Sequence, residues 1–328
     1  MKARRLPERA RKTGSGPTAD IMVDLATRFY VAGQSQVEIA RALGLDASTV
    51  SRYLKRARDE GIVHVEILRP RSLQGDLALE LAAAFGLKKA VVVTGEAGPV
   101  ITESVARAAA DYVNSRLMNG MRLGLSWGRM LSAAIHKLPA GTVSGLDVSL
   151  LHGGVGRGGP SIQGHELARH LASLHPHSRV HYLHAPVLVD SPDIKTAMLR
   201  DRSIRAALES AASSEVALVG IGTLDDSAPL IRDHHISPRD RKRLLDSGAV
   251  GDMSTRFFNA GGEPVHVLDD RLIAIDWDVL KAIPLVIGMA AGLEKRAAIL
   301  GALRAGMLDV LITDESSARG VLKSTGGS

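Results

Sequence analysis

From residue 88 onward the chain alternates short β-rich runs with segments of helix length, a pattern that leaves few architectures open. Runs rich in Val, Ile and Leu occupy 90–93, 122–125, 147–151, 180–183, 216–221, 285–287 and 310–312. Helix-length segments fill 100–117, 129–137, 166–174, 197–212 and 294–305. Strand and helix in alternation predict an α/β unit with a largely parallel sheet covered on both faces. In such sheets ligands gather beyond the carboxyl ends of the strands.

The loops at those ends therefore matter most. In L-G-L-S-W-G-R-M, Gly124, Ser126 and Gly128 stand where a strand meets a helix, so backbone N–H groups can face an anion at the helix start. Gly153, Gly154 and Arg157 follow the next strand in H-G-G-V-G-R-G-G, combining close backbone approach with a guanidinium. Gly220, Ile221, Gly222 and Thr223 follow a third. G-A-V-G-D supplies the carboxylate of Asp252, and G-L-E-K places the ammonium of Lys295 at a helix start. Each loop alone is a tight turn. Together they suit a small phosphorylated polyol, with cations and amides for the phosphate and Asp252 for hydroxyls.

Residues 35–61 carry a second signal. Ser35 followed by Glu38 is a capping box that starts a helix at Gln36. Ile39, Ala40 and Leu43 share one face, and Gly44 can take the left-handed conformation that ends it. Asp46 caps a second helix in which Val50, Leu54 and Ala57 recur at a helical period. Its other side presents hydroxyls near the N-terminus and then cations, as a helix in the DNA major groove requires. Ser48, Thr49 and Arg52 are the candidates for base edges, with Ser51, Tyr53, Lys55 and Arg56 for phosphates; Ser35, Gln36 and Ala47, at the helix starts, complete the DNA-binding set. A helix over 21–30 would pack beneath the hairpin, and the alternating 62–68 could form a wing.

Length and charge agree with one small and one large domain. The 328 residues carry a formal charge of +6, which suggests a polyanionic partner. Residues 1–19 form a basic tail that cannot bury enough apolar area to order itself. The DNA-binding domain is expected over 20–69, a linker or oligomerisation helix over 70–87, and the larger domain over 88–328. No cysteine is present, which removes disulfides and thiol catalysis and fits a reducing cytoplasm. No apolar run reaches the roughly 20 residues needed to span a bilayer, so a membrane role is not expected.

The hairpin, followed in order by G-L-S-W-G-R, G-A-V-G-D, G-L-E-K-R-A-A-I-L-G-A-L and L-I-T-D-E-S-S-A, resembles the SorC family of bacterial sugar-responsive transcriptional regulators over about residues 21–322. The resemblance implies a winged helix-turn-helix joined to a Rossmann-like effector domain related to phosphosugar isomerases. It also implies a homotetramer on operator DNA whose affinity a sugar or sugar phosphate resets. Carried over, the effector site comprises Gly124, Ser126, Trp127, Gly128, Arg129, Gly153, Gly154, Arg157, Gln163, Gly222, Asp252 and Lys295. His152 and the step 161–164 depart from the Asn-rich pattern of the family, a difference that bears on which sugar is bound rather than on the mode of action.

Two other functions compete with a ligand-gated repressor or activator. One is a sugar-phosphate isomerase or deaminase, since fold does not fix function. The chain offers no compact acid, base and nucleophile, however, so no catalytic residue is assigned. Asp225, Asp226, His234 and His235 lack metal-motif spacing and read as a solvated loop. No metal or cofactor is expected. The other is an effector-independent DNA-binding protein.

Overall fold

The computed structural model describes residues 19–63, 71–95, 98–154, 164–233 and 235–324, and the chain divides into two compact units between Arg69 and Pro70. In the first unit, apolar residues at helical spacing draw three helices together. These are α1 (Ala19–Ala26, running on as a π-helical turn over Thr27–Val31), α2 (Gln36–Leu43) and α3 (Ala47–Asp59). Leu25, Ile39, Leu43, Val50 and Leu54 form their shared core. The capping box at Ser35 is closed in both directions, Gly44 sits at φ 68°, and Asp46 caps α3 by accepting from the Thr49 amide. The wing expected over 62–68 is not tested: Ile62 and Val63 are not in a strand, and the rest lies outside the described residues, as do 1–18 of the tail.

The second unit is built on one sheet. Its strands are β1 (Lys89–Val93), β2 (Arg122–Leu125), β3 (Asp147–Leu150), β4 (Arg179–His181), β5 (Val216–Gly222), β6 (Ala249–Met253), β7 (Arg256–Asn259), β8 (Leu285–Met289) and β9 (Val310–Asp314). Seven are parallel in the order β1-β9-β8-β5-β2-β3-β4, while β6 and β7 form an antiparallel hairpin hung on the end of β5. Successive residues of β5 serve opposite cores. Val216 and Leu218 enter one, and Ala217, Val219 and Ile221 the other. Burial on both faces is why these strands read as continuous apolar runs.

Eleven helices are described in this unit: α4 (Arg71–Phe85), α5 (Pro99–Asn114), α6 (Arg129–Ile135), α7 (Gly164–Ser173), α8 (Pro192–Leu199), α9 (Arg202–Ala212), α10 (Pro229–Arg232), α11 (Pro238–Asp246), α12 (Trp277–Ala282), α13 (Arg296–Arg304) and α14 (Glu315–Lys323). Helices α5, α6, α7 and α9 supply the first core, and α4, α12, α13 and α14 the second. The single helix expected over 197–212 is two. Asp201 interrupts it because its carboxylate accepts from the Ser203 and Ile204 amides and restarts the chain as α9. The β6–β7 hairpin was not anticipated. Its turn is Ser254 and Thr255, both left-handed at φ 52° and 62°, where Asn-Gly would have been the readable signal. The helix expected to link units or pair with a second copy, α4, buries Leu77 and Leu81 against the sheet.

The strand order reverses between β2 and β5. From β2 the chain steps outward through β3 to β4, returns at β5 beside β2, and then builds the other side through β8 and β9. A crevice beyond the carboxyl ends of β2 and β5 follows from that reversal.

Candidate functional site

Helix α3 divides cleanly between packing and exposure. Val50, Leu54 and Ala57 are buried, whereas Ala47, Ser48, Ser51, Arg52, Lys55 and Arg56 are exposed and Thr49 and Tyr53 half-buried. The hydroxyls near its start are already engaged. Ser48 Oγ donates to Asp46 at 2.5 Å, Thr49 Oγ1 donates to the same carboxylate at 2.9 Å, and these bonds hold Asp46 down to about 2. Arg52 lies 3.4 Å from Thr49 Oγ1 and stacks over the Tyr53 ring at 5.7 Å, so its guanidinium is steadied on the exposed face. Arg56 pairs with Glu60 at 2.5 Å. At the start of α2, the Ser35 hydroxyl is spent on the Glu38 amide at 3.2 Å, and Gln36 is half-buried.

The crevice between β2 and β5 is an open cleft, about 590 Å³ with its mouth included. Ser126, Trp127, Gly128 and Arg129 reach it from the end of β2 and the start of α6. Gly220, Ile221, Gly222 and Thr223 come from the end of β5, Met289 from β8, and Ala228, Pro229 and Leu230 from the start of α10. The hairpin adds Asp252 and Ser254, and Lys295 projects from a 3₁₀ turn over Leu293–Lys295.

Seven of the twelve residues expected at an effector site are thus brought together: Ser126, Trp127, Gly128, Arg129, Gly222, Asp252 and Lys295. Three are placed elsewhere. Gly124 is inside the sheet, where a Cβ would meet Leu151 Cδ2 at 2.5 Å, so its smallness serves packing. Gly153 donates its amide to Ile273 and Gly154 to Ala185, at 2.9 and 2.7 Å, which leaves neither N–H for an anion. Arg157 and Gln163 lie outside the described residues. Reasoning from sequence missed Ser254, Met289 and the 228–230 segment, because nothing in the chain announces the hairpin turn or the bend before α10.

Asp252 and Lys295 set the electrostatics. Burial pushes the Asp252 carboxyl up to about 6, against the opposing pull of the Thr255 amide, 3.1 Å from Oδ2, and the Lys295 charge. Burial, and then the Arg129 guanidinium, push the Lys295 ammonium below the usual lysine range. Lys295 Nζ donates to the Ile221 carbonyl at 2.6 Å. Gly222 pairs with Asp252 across β5 and β6, and a Cβ there would stand 2.0 Å from Oδ1. Two cations, a carboxylate and the hydroxyls of Ser126, Thr223 and Ser254 therefore share one cleft with the apolar Trp127, Leu230 and Met289. The arrangement can hold a small polar molecule by charge and hydrogen bonds.

The 225–235 stretch is more ordered than a solvated loop. Asp225 accepts from Thr223 and Ser227, Asp226 pairs with Arg241, and the His235 ring meets Trp127 edge-on at 5.8 Å. His234 lies outside the described residues. Among the described residues no group of three or more His, Asp or Glu is arranged to hold a metal ion. No helix among them is long and apolar enough to cross a membrane.

Known proteins share both units. The Sugar-bind family model, of a sugar-binding domain, matches residues 71–323, and a winged helix-turn-helix DNA-binding model matches 32–64. A protein named deoxyribonucleoside regulator, from Bacillus subtilis, is 30% identical over 305 residues, covering 92% of this chain and 97% of the relative. The transcriptional regulator LsrR of an Enterobacter species is 31% identical over 335 residues, covering 99% and 100%. The crystal structure of the full-length sorbitol operon regulator SorC from Klebsiella pneumoniae superposes with a TM-score of 0.73 at 27% identity, covering 94% of this chain and all of that one. The named relatives are transcriptional regulators, and none supports an enzyme.

Proposed function

Since the chain belongs to the SorC family of sugar-responsive transcriptional regulators, we propose that a sugar or sugar phosphate held in the cleft between β2 and β5 sets how tightly α3 grips operator DNA. One observation carries this reading. Arg129 and Lys295 suited to a phosphate, and Asp252 and Ser126 suited to hydroxyls, converge in one cleft at the sheet's strand-order reversal. Residues 20–69 read DNA, and 88–328 hold the effector. Ser48, Thr49 and Arg52 face base edges, with Ser51, Tyr53, Lys55 and Arg56 toward the backbone. Contact with DNA would exchange the bonds of Ser48 and Thr49 to Asp46 for bonds to the duplex.

The mechanism is a coupling free energy. The effector favours one quaternary arrangement of a homotetramer and DNA the other, so each changes the other's affinity by the same factor. A tenfold change in operator affinity needs only about 1.4 kcal/mol of differential binding. The protein acts in the cytoplasm, where its DNA and metabolites are.

A thermal-shift screen of sugars and sugar phosphates tests the reading, because a ligand that binds only the native state must raise the melting temperature. The hit should then change operator retention in a gel. Turnover of the hit, or stabilisation without any effect on DNA binding, would overturn the proposal.

A further inference from the structure

Ser126 is buried at the cleft, and its amide is spent on the Leu218 carbonyl at 3.0 Å. Its hydroxyl lies 3.2 Å from Nε2 of the buried His152. The other ring nitrogen, Nδ1, is 2.8 Å from the Gly153 carbonyl, which can only accept, so Nδ1 carries a proton. Burial pushes His152 down to about 4, so the ring is neutral at physiological pH and Nε2 bears a lone pair. The Ser126 hydroxyl must then donate to Nε2, and toward the cleft it can only accept. Thr223 repeats the pattern: its hydroxyl donates to Asp225 Oδ2 at 2.5 Å. Asp252 contributes a carboxyl whose Oδ2 accepts the Thr255 amide. Ser254 Oγ, also at the cleft and buried, has no hydrogen-bond partner among the described residues.

We propose that His152 is a specificity-determining residue: by accepting the Ser126 hydroxyl hydrogen at Nε2 it makes Ser126 an acceptor toward the cleft, as Asp225 makes Thr223, selecting a ligand hydroxyl there and turning away a phosphate or carboxylate. This inference rests on the sugar-site reading above and names the chemistry on which it turns. An anionic group at Ser126 would set lone pair against lone pair with no proton between them, leaving buried polar atoms unpaired. The phosphate of a sugar phosphate belongs instead with Arg129 and Lys295, and the hydroxylated carbons with Ser126 and Thr223. His152 touches no ligand in this arrangement. It acts through Ser126.

Two measurements on the full-length protein test it. In protein labelled with ¹⁵N-histidine, the signal lost in His152→Asn should show at pH 7.5 a protonated Nδ1 and an unprotonated Nε2; a ring protonated at Nε2 overturns the inference. The second takes the tightest binder from a panel of hexitol, hexose and pentose phosphates and replaces each hydroxyl in turn with fluorine, which cannot donate. At one position fluorination should weaken binding about tenfold in the wild type and no more than about twofold in Ser126→Ala. That fluorinated ligand should regain affinity in His152→Asn, whose amide can donate to Ser126 and return the hydroxyl proton to the cleft. A fluorine penalty unaltered by Ser126→Ala at every position overturns the inference while leaving the sugar site standing. Failure of every panel member to bind overturns the sugar site and this inference with it. If His152→Asn does not fold, the Ser126→Ala scan and a ¹⁵N signal assigned through its contact with Gly153 decide the matter.

Discussion

Replacing Asp252 with Asn should stabilise the effector unit while weakening its response to ligand. The carboxyl is 5% exposed, and burial raises it from an ordinary 3.8 to about 6. At ~1.36 kcal/mol per pH unit, the native state at neutral pH therefore carries a cost of ~3 kcal/mol for keeping this group ionised. Asn keeps the shape and an oxygen for the Thr255 amide, so Asp252→Asn should recover ~1–3 kcal/mol at pH 7.5, after some loss of attraction to Lys295. For a unit of this size that is about 2–4 °C in melting temperature per kcal/mol. The sign follows from the direction of the shift. A carboxyl with a raised native pKa gives its full stability below pH 3.8, and that stability is lost as pH rises through about 6. The advantage of Asn should therefore be small at pH 4, grow through pH 5 and 6, and level off above pH 7. Melting curves by calorimetry at four pH values measure it. Destabilisation at pH 7.5, or a difference independent of pH, would refute the reasoning that Asp252 is an ionised group held in the cleft at a cost.

Other outcomes are equally specific. Arg52→Ala should cost about 1–3 kcal/mol on the cognate operator and much less on random DNA, read by fluorescence anisotropy; equal losses would assign Arg52 to the phosphates. Lys295→Ala should raise the effector concentration for half-maximal response while leaving effector-free operator binding near normal, and collapse of DNA binding would make Lys295 structural. Gly44→Ala places a Cβ at φ 68° and should destabilise the first unit by about 1–2 kcal/mol in denaturant unfolding. No change there would mean that the turn between α2 and α3 relaxes.

What the chain disclosed in advance follows the range of the interactions involved. The capping box at Ser35, the Gly44 turn and the Asp46 cap are made by residues three or four apart, and each is present. The parallel strands were legible because burial on both faces leaves β5 and β8 almost wholly apolar. Ser126 could be placed at the cleft because it follows a parallel strand whose carboxyl end the topology puts on that edge, whereas Asp252 and Lys295 reach the same cleft from the β6–β7 hairpin and a 3₁₀ turn. Gly124 and Gly153 signal close approach without saying what approaches: at Gly124 it is Leu151, and at Gly153 the 185–186 backbone, while Gly154 meets the His165 ring at ordinary contact distance. Asp201 escaped notice because a polar residue within a helix-length segment looks like an exposed position until its carboxylate is seen capping α9. Ser254 and Thr255 escaped because a left-handed turn without glycine leaves no trace in composition.

The double use of Asp46 bears on how such a reader evolves. Ser48 and Thr49, proposed above to meet bases, also fasten the helix start to its cap. A change of letter preference made at either position also loosens the scaffold that presents it. Arg52 reaches Thr49 Oγ1 without contributing to the Asp46 cap, so lineages that retarget their promoters should vary at 52 before they vary at 48 or 49.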